Sequence, residues 1–268
     1  MKPIRFPEDH IAARFSSLAT VGRRISRIRG DYHEDENEDG SEKTNEEPEV
    51  ESGGSVRVIQ IRGVLMRDCE GWFPWATDTE EIEELLEEAE NDNNVSAVVL
   101  DIDSPGGAVN GSVELAEFVA GMTKPVVTYT AGDCCSAAYW IAASSDLILI
   151  RSTSTVASVG VYSALLDVSV MYEQLGVKTE LFKSGDQKAA GYPGTTLTDA
   201  QRAVIQGEVD ALGDQFRTAV IGFRPEVDIE MLDGRSVSGI QAIEAGFADD
   251  FANNIGAAVE AAKSLGGM

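Results

Sequence analysis

Ser136, in the stretch GDCCSAAYWIAA (132–143), stands where a strand is predicted to end and a short apolar helix to begin. A serine there is a helix cap, a small core residue or a nucleophile. A serine nucleophile needs a neighbouring base that takes its proton. The only histidines, His10 and His33, lie in a highly charged N-terminal stretch. A Ser-His-Asp arrangement is therefore excluded from residues 55–268.

A lysine whose amine is kept neutral by burial is the remaining base for a serine near neutral pH. Lys188 lies in a glycine-containing loop and is followed by small and apolar residues, a setting that favours desolvation of an amine. The alternative is an ordinary solvated loop lysine, and the pattern alone leaves both open. The other lysines of the predicted folded part are Lys124, Lys178, Lys183 and Lys263.

The segment DIDSPGGAV (101–109) joins a predicted buried strand to a helix. Pro105 restricts the residue before it to extended backbone. Gly106 and Gly107 permit a sharp turn that presents backbone N–H groups to a ligand. Such paired amides are what a tetrahedral oxyanion needs, although an ordinary turn between strand and helix uses the same residues.

Two acidic residues and two cysteines near these segments have simpler interpretations. Asp101 and Asp103 flank a strand end, where turn and capping roles are favoured over metal ligation or acid catalysis. Cys134 and Cys135 are expected to be small buried hydrophobes without a chemical role. We therefore predict no metal site and no cofactor.

An aromatic cluster precedes the first predicted helix. Trp72, Phe73 and Trp75 lie within six residues of one another in GWFPWATD. Such a cluster is typical of an interface. We expect it either to cover a substrate groove or to form a subunit contact.

The elements that position these residues alternate between strand and helix, which predicts an α/β fold with a largely parallel sheet and right-handed crossovers. The segment SAVVLDI is continuously apolar and β-branched, as in strands buried on both faces. Strands are predicted over 56–61, 96–102, 125–130, 146–150 and 177–182. Helices are predicted over 79–89, 110–121, from 136, and over 165–175, 198–221, 237–245 and 254–264.

Charge divides the chain into a tail (1–54) and a folded domain (55–268). Residues 1–30 carry a net charge of +5 and residues 31–51 one of −10. A segment so charged and so poor in apolar residues cannot offset its ordering entropy, so the tail is predicted to be disordered.

The whole chain has a net charge of −25. This charge disfavours nucleic acid and anionic membranes as partners. No secretory signal and no run long enough to span a bilayer are evident. We therefore expect a cytoplasmic protein without an integral membrane segment.

Four motifs occur in order along the chain: LDIDSPGG, CSAAYWIAASSD, STSTVASVGV and SGDQKAAGYPGTTLTDAQR. In their order and separation they resemble the signal peptide peptidase A family of serine peptidases, over about 56–250. The blocks KPVVTYTAGDCCSAAYWIAASSD and SGDQKAAGYPGTTLTDAQRAV are most similar to the phage capsid-assembly protease (protein C) branch. The resemblance implies a ClpP/crotonase fold and a Ser-Lys dyad.

Carried onto this sequence, the resemblance implies that Ser136 is the nucleophile and Lys188 the general base. It implies that Ser158 orients the lysine amine and that the amides of Gly107 and Ala137, beside Gly106, form the oxyanion hole. The sequence departs from the family's usual motifs at two places, and in both, small residues replace other small residues. Ser-Ala-Ala stands where the family commonly has Ser-Gly-Gly or Ser-Ala-Gly, and Ala-Ser-Val-Gly stands for Gly-Ser-Ile-Gly.

The resulting expectation is a serine endopeptidase that assembles as a homo-oligomeric ring and acts on protein or peptide substrates. In a phage or prophage these would be scaffold and portal proteins, cleaved in the host cytoplasm inside the procapsid. The alternative is a peptidase of the signal-peptide-peptidase type that degrades signal peptides. Less favoured alternatives are a crotonase-type acyl-CoA enzyme, since that fold also stabilises oxyanions, and an inactive homologue.

Overall fold

The computed structural model describes residues 54–69, 73 and 75–268. Residues 161–215 form one compact unit, and the other described residues form a second, larger unit. The predicted tail lies outside the described residues except for Gly54, as does Trp72.

The strands of the larger unit are mostly short, apart from two that exceed ten residues. In chain order they are β1 (Ser55–Met66), β2 (Ala76–Asp78), β3 (Val95–Gly107), β4 (Val126–Thr130), β5 (Asp133–Cys135), β6 (Leu147–Ile150), β7 (Thr155–Ala157), β8 (Ser236–Ser238) and β9 (Asp250–Phe251).

The helices alternate with these strands over the first half of the chain. They are α1 (Thr79–Asn91), α2 (Ser112–Gly121), α3 (Ala137–Ala143), α4 (Ser169–Gln174), α5 (Asp199–Phe223), α6 (Gly239–Glu244) and α7 (Ile255–Leu265). The smaller unit contains α4 and the first part of α5.

Strand β3 is the centre of the sheet. The described strands follow the order β8-β7-β5-β3-β4-β6-β9, and β1 pairs with both β3 and β2. Every pairing is parallel except that of β7 with β8. The first part of β3 lies between β1 and β4, whereas Ser104 near its end pairs with Cys134 of β5. The predicted α/β class with a largely parallel sheet is confirmed.

Alternate residues of β3 enter two separate cores. Val98, Leu100 and Ile102 belong to the larger core, which also contains all of α3. Ala97 and Val99 point to the opposite face, where Ala258 and other residues of α7 cover them. Because both faces are buried, the strand reads as a continuous apolar run in the sequence.

One predicted strand is wrong. Residues 177–182 form no strand, and the apolar side chains of this segment are exposed, Phe182 to 94%. Their spacing resembles that of a strand, but a strand forms only with a hydrogen-bonding partner, and within the described residues none pairs with this segment. The helix predicted over 165–175 is shortened to α4.

Within 54–69 and 75–268, no helix has the length and the apolarity that crossing a bilayer requires.

An ion pair behind α3 offers a test of the fold. The Arg224 side chain is 8% exposed, and its guanidinium donates to the carbonyls of Ala143 and Ser145 and to the carboxylate of Asp249. These contacts tie the end of α5 to the end of α3 and to the residue before β9. Removing one partner leaves buried acceptors without a donor.

We therefore expect Arg224→Leu to lower the free energy of unfolding by about 3 kcal/mol in urea denaturation. The matched control is Arg67→Leu. It removes an exposed arginine that pairs with Glu80, so it should cost less than about 1 kcal/mol. Equal losses in the two variants would contradict the structural role assigned to Arg224.

Candidate active site

Three neighbouring strands end at one edge of the sheet and bring the predicted site residues together. Ser104 of β3 pairs with Cys134 of β5, and Cys135 pairs with Ala157 of β7. Because the strands are parallel and about 4.8 Å apart, the residues that follow in each strand are neighbours. The register therefore places Gly106, Ser136 and Ser158 side by side.

Ser136 has an unusual backbone at the junction of β5 and α3. Its φ is 53° and its ψ is −127°, a region that residues other than glycine rarely enter. Its amide donates to the Ala157 carbonyl at 2.7 Å, which binds this turn to the neighbouring strand. A strained turn between strand and helix is also how other hydrolase folds present a nucleophilic serine.

The side chain of Ser136 does not cap the helix. The residue occupies the N-cap position of α3, but its hydroxyl makes no capping hydrogen bond. The side chain is half-buried, and the seven residues that follow are all buried. Helix capping therefore does not account for a serine at this strained position.

Gly106 gives Ser136 the space it needs. A Cβ atom at Gly106 would lie 2.7 Å from the Ser136 Cβ and 2.9 Å from the Ala137 nitrogen, and the φ of Gly106 is +95°. The Gly106 amide itself donates to Ser104 Oγ at 3.1 Å. Gly106 therefore allows the close approach, while its own N–H is engaged inside the turn.

Gly107 and Ala137 remain as candidate oxyanion donors. Ala137 is the first residue of α3, and the first N–H groups of a helix have no acceptor within it. Gly107 lies against β1, where a Cβ would meet the Leu65 carbonyl oxygen at 2.0 Å. Glycine is therefore required at both 106 and 107. The N–H of Ala137, the residue after Ser136, is a backbone donor beside the serine.

Ser158 is held by two successive carbonyls. Its amide donates to the Arg235 carbonyl at 2.9 Å, and its hydroxyl donates to the Gly234 carbonyl at 3.2 Å. Like Ser136, it has a positive φ, of 56°. Because the hydroxyl proton is used on Gly234, the lone pairs of Ser158 Oγ remain able to accept a hydrogen bond from an amine.

Lys188 lies in the 161–215 unit rather than in the unit that carries the two serines. It occupies a series of turns in which its amide donates to the Gly185 carbonyl and Ala189 has a φ of 60°. The residue is exposed in the single chain. The shielding of its amine from water that the sequence suggests stays a prediction.

The acidic residues near the site have structural roles. Asp101 forms an ion pair with Arg62, and Asp103 accepts the Asp133 amide at 3.0 Å. Both residues lie within β3, which runs to Gly107, so the turn and capping interpretation is wrong: their contacts are to the neighbouring segments of the sheet. Among the described residues, no group of three or more His, Cys, Asp or Glu side chains is arranged to hold a metal ion.

The thiol beside the serine is buried and weakly acidic. Burial raises the pKa of Cys135 to about 11, and its Sγ contacts the Thr155 carbonyl and the Ser236 hydroxyl. Burial also raises the pKa of Cys134 well above its ordinary value. Neither thiol is therefore activated as a nucleophile near neutral pH.

The aromatic cluster is only partly described. Phe73 and Trp75 are half-buried, and their ring centroids lie 5.2 Å apart in an edge-to-face arrangement. The two rings therefore pack against each other. Whether the cluster covers a substrate groove or forms a subunit contact stays open, and both remain predictions.

Sequence reasoning missed the short strands that build the site. The three-residue strands β5, β7 and β8 carry too few residues for a period of two to be recognised. It also missed the segment 233–236 that holds Ser158. The dipeptide Asp233-Gly234 was the available sequence signal for a turn there, and Gly234 has a φ of +91° in the structure.

Comparisons with known proteins show which family the chain belongs to. Residues 120–267 match peptidase family S49, and residues 75–153 match the Clp protease family. Capsid assembly protease C of Escherichia phage lambda is 30% identical over 205 residues, which cover 74% of this chain and 47% of that protein. The putative signal peptide peptidase SppA of Enterococcus faecium is 33% identical over 171 residues, covering 61% of this chain and 49% of that protein.

Among solved structures, a ClpP1 mutant from Listeria monocytogenes aligns with a TM-score of 0.49 and 13% identity, covering 74% of this chain and 92% of that chain. The chain spans about half the length of the curated relatives it matches. Its α/β fold is ClpP-like: the match to the Clp protease family and the largely parallel sheet both support this. Because the S49 match extends over more than half of its residues, the chain belongs to peptidase family S49.

Proposed function

We propose that the protein is a serine endopeptidase with Ser136 as its nucleophile. The observation that carries this proposal is the position of Ser136. It lies at a strained strand-to-helix turn, between Gly106 and Ser158, with a hydroxyl that does not cap the helix. Membership of a peptidase family supports the same reaction class.

The proposed reaction uses a Ser-Lys dyad. Ser136 Oγ attacks the peptide carbonyl carbon while its proton passes to the neutral amine of Lys188. The carbonyl oxygen becomes an oxyanion that accepts hydrogen bonds from the Gly107 and Ala137 amides. The lysine then returns the proton to the leaving amine, and water attacks the acyl-enzyme with the same lysine as base.

Ser158 serves this dyad by fixing the direction of the lysine lone pair. A neutral amine has two N–H donors and one lone pair. When one N–H donates to Ser158 Oγ, the lone pair is restricted to fewer directions, one of which faces Ser136. The two serines directly follow the paired residues Cys135 of β5 and Ala157 of β7, and this neighbouring position supports the role.

We propose capsid-assembly proteins, namely scaffold and portal proteins, as substrates, cleaved in the host cytoplasm inside the procapsid. The similarity to the lambda capsid assembly protease supports this choice. The similarity to the Enterococcus protein favours a second candidate, the degradation of signal peptides. Cleavage assays with the two substrate classes separate these candidates.

We also propose that the active form is a homo-oligomeric ring in which a neighbouring protomer helps to bury Lys188. The lysine is exposed in the single chain, yet a neutral amine requires desolvation. The same 161–215 unit exposes large apolar side chains, which is typical of an interaction surface. They include Tyr162, Leu166, Val170, Leu175 and Phe182.

The first of three predictions about the proposed activity concerns the dyad. Ser136→Ala and Lys188→Ala should each lower kcat by about 10⁴-fold or more, because nucleophile and base act as one unit. A fluorophosphonate probe should add its mass to the peptide that contains Ser136. The matched controls are the exposed residues Ser152 and Lys183, whose alanine variants should keep native activity.

Full turnover in the Ser136→Ala variant would refute the peptidase assignment and favour a crotonase-type acyl-CoA enzyme. In such an enzyme the backbone amides alone stabilise the oxyanion, and neither side chain of the dyad is required.

The second prediction concerns the assembly. If each site takes its serine and its lysine from different protomers, mixing inactive Ser136→Ala with inactive Lys188→Ala restores activity. An equal, random mixture should recover about a quarter of the native activity, since one junction in four pairs an intact serine with an intact lysine. No recovery after co-refolding, in a mixture that sediments as rings, would place both residues in one protomer.

The third prediction separates a serine from a cysteine mechanism. Burial raises the pKa of Cys69 and of Cys135 to about 11, so at pH 7.5 fewer than about one thiol in a thousand is ionised. Thiolate forms only as the pH rises towards the raised pKa. Iodoacetamide at pH 7.5 should therefore leave activity and intact mass unchanged, whereas the chain unfolded in urea gains three carbamidomethyl groups. Inactivation that parallels modification of Cys135 would contradict this assignment.

A further inference from the structure

The turn formed by residues 233–236 lies directly beside Ser158 and has no role in the dyad as described so far. Ser236 pairs with Ala157 across the antiparallel β7–β8 ladder. The two residues before it, Gly234 and Arg235, provide the carbonyls that bind the Ser158 hydroxyl and amide. Every polar group of Ser158 that can donate is thus bound by this turn.

The Asp233 side chain closes the turn. Its carboxylate accepts the Arg235 amide at 3.1 Å and the Arg235 Nε at 2.8 Å, and it forms an ion pair with the same guanidinium. Gly234, between them, has a φ of +91°, and a Cβ atom added there would meet no other atom within 4 Å. Asp233 therefore sets the peptide orientation that directs the Gly234 carbonyl towards Ser158.

This contact fixes the polarity of the hydrogen bonds at the site. A carbonyl oxygen only accepts, so the hydroxyl proton of Ser158 must point to Gly234. The Ser158 oxygen is then restricted to accepting from a third group. A hydroxyl whose proton rotated freely could instead donate to the lysine lone pair, which would remove the base that Ser136 requires.

We propose that Asp233 is a positioning residue for catalysis, which acts through the Gly234 carbonyl to keep Ser158 Oγ as an acceptor for the catalytic amine. This inference rests on the proposed function. The Asp233–Arg235 pair is exposed, so it contributes little to stability. Its effect should therefore appear in kcat rather than in the melting temperature.

The test compares three aspartate variants in a peptide-cleavage assay. Asp233→Ala removes the acceptor that closes the turn and should lower kcat about tenfold with KM within about twofold. Asp233→Asn keeps an oxygen that accepts the Arg235 amide and should retain kcat within about threefold. Asp92→Ala is the matched control. Asp92 makes the same type of contact, to the Asn94 amide, just before β3 begins at Val95, so this variant should show native kcat.

A double-mutant cycle shows whether Asp233 acts through Ser158. In the Ser158→Ala background, Asp233→Ala should cause no further loss of kcat, because the group that it positions is already absent. The hydrogen bond from Arg235 lowers the pKa of Asp233 to about 2. The carboxylate is therefore ionised throughout the assay range, and its tenfold effect should be the same from pH 6 to pH 9.

The outcomes are distinguishable. Native kcat in Asp233→Ala, or a tenfold loss that multiplies with that of Ser158→Ala, would overturn the positioning role. The role would also be overturned if Asp233→Ala and Asp233→Asn both lost kcat and both lowered the melting temperature by the same amount, because the loss would then reflect stability. Activity that survives Ser136→Ala would instead overturn the proposed function itself, whatever the aspartate variants show.

Discussion

The hydrogen bond from the Ser136 amide to the Ala157 carbonyl is the contact on which the candidate site depends. It joins the ends of two parallel strands at a point where both chains leave the sheet. Ser136, Ala157 and Ser158 all have positive φ values, and each such residue costs on the order of 1–3 kcal/mol. A strained geometry of this kind persists only where neighbouring strands over-determine it, as β3 and β8 do here.

The buried residues around this edge of the sheet hold Ser136 in a fixed position. Helix α3 is buried along its whole length, with the Trp140 ring stacked on Phe216 and the Tyr139 hydroxyl bonded to the Phe247 carbonyl. Small alanines occupy its other turns, which lets the helix approach the sheet closely. Ser136 is thus attached to an element that cannot shift without opening the core, and a fixed position is what a nucleophile beside preformed amide donors needs.

Much of the fold could be predicted from the sequence, because long elements carry a strong period. The helix from Thr79 was predicted within two residues of its observed bounds. The buried strand was predicted over 96–102 and begins at Val95, but it continues to Gly107, through the segment that was expected to be a turn. The site residues themselves could be proposed only from four ordered motifs, since a serine before a helix is ambiguous by itself. The three-residue strands could not be predicted, because tertiary pairing creates them. The Asp233-Gly234 pair does signal a turn, but nothing in the sequence places that turn beside Ser158. Segment 177–182 failed for the opposite reason: its pattern suits a strand, but within the described residues it has no partner.

The proposed base and the proposed nucleophile belong to different compact units, and this has a consequence for the proposed chemistry. The strained turn, the candidate amide donors and Ser158 all belong to the larger unit. The lysine is carried by a unit that exposes both this residue and many apolar side chains in the single chain. A lysine takes a proton from serine only as the neutral amine, a form that desolvation favours. Under the proposed mechanism, whatever covers that apolar surface also makes the base, so assembly and activation would be the same event.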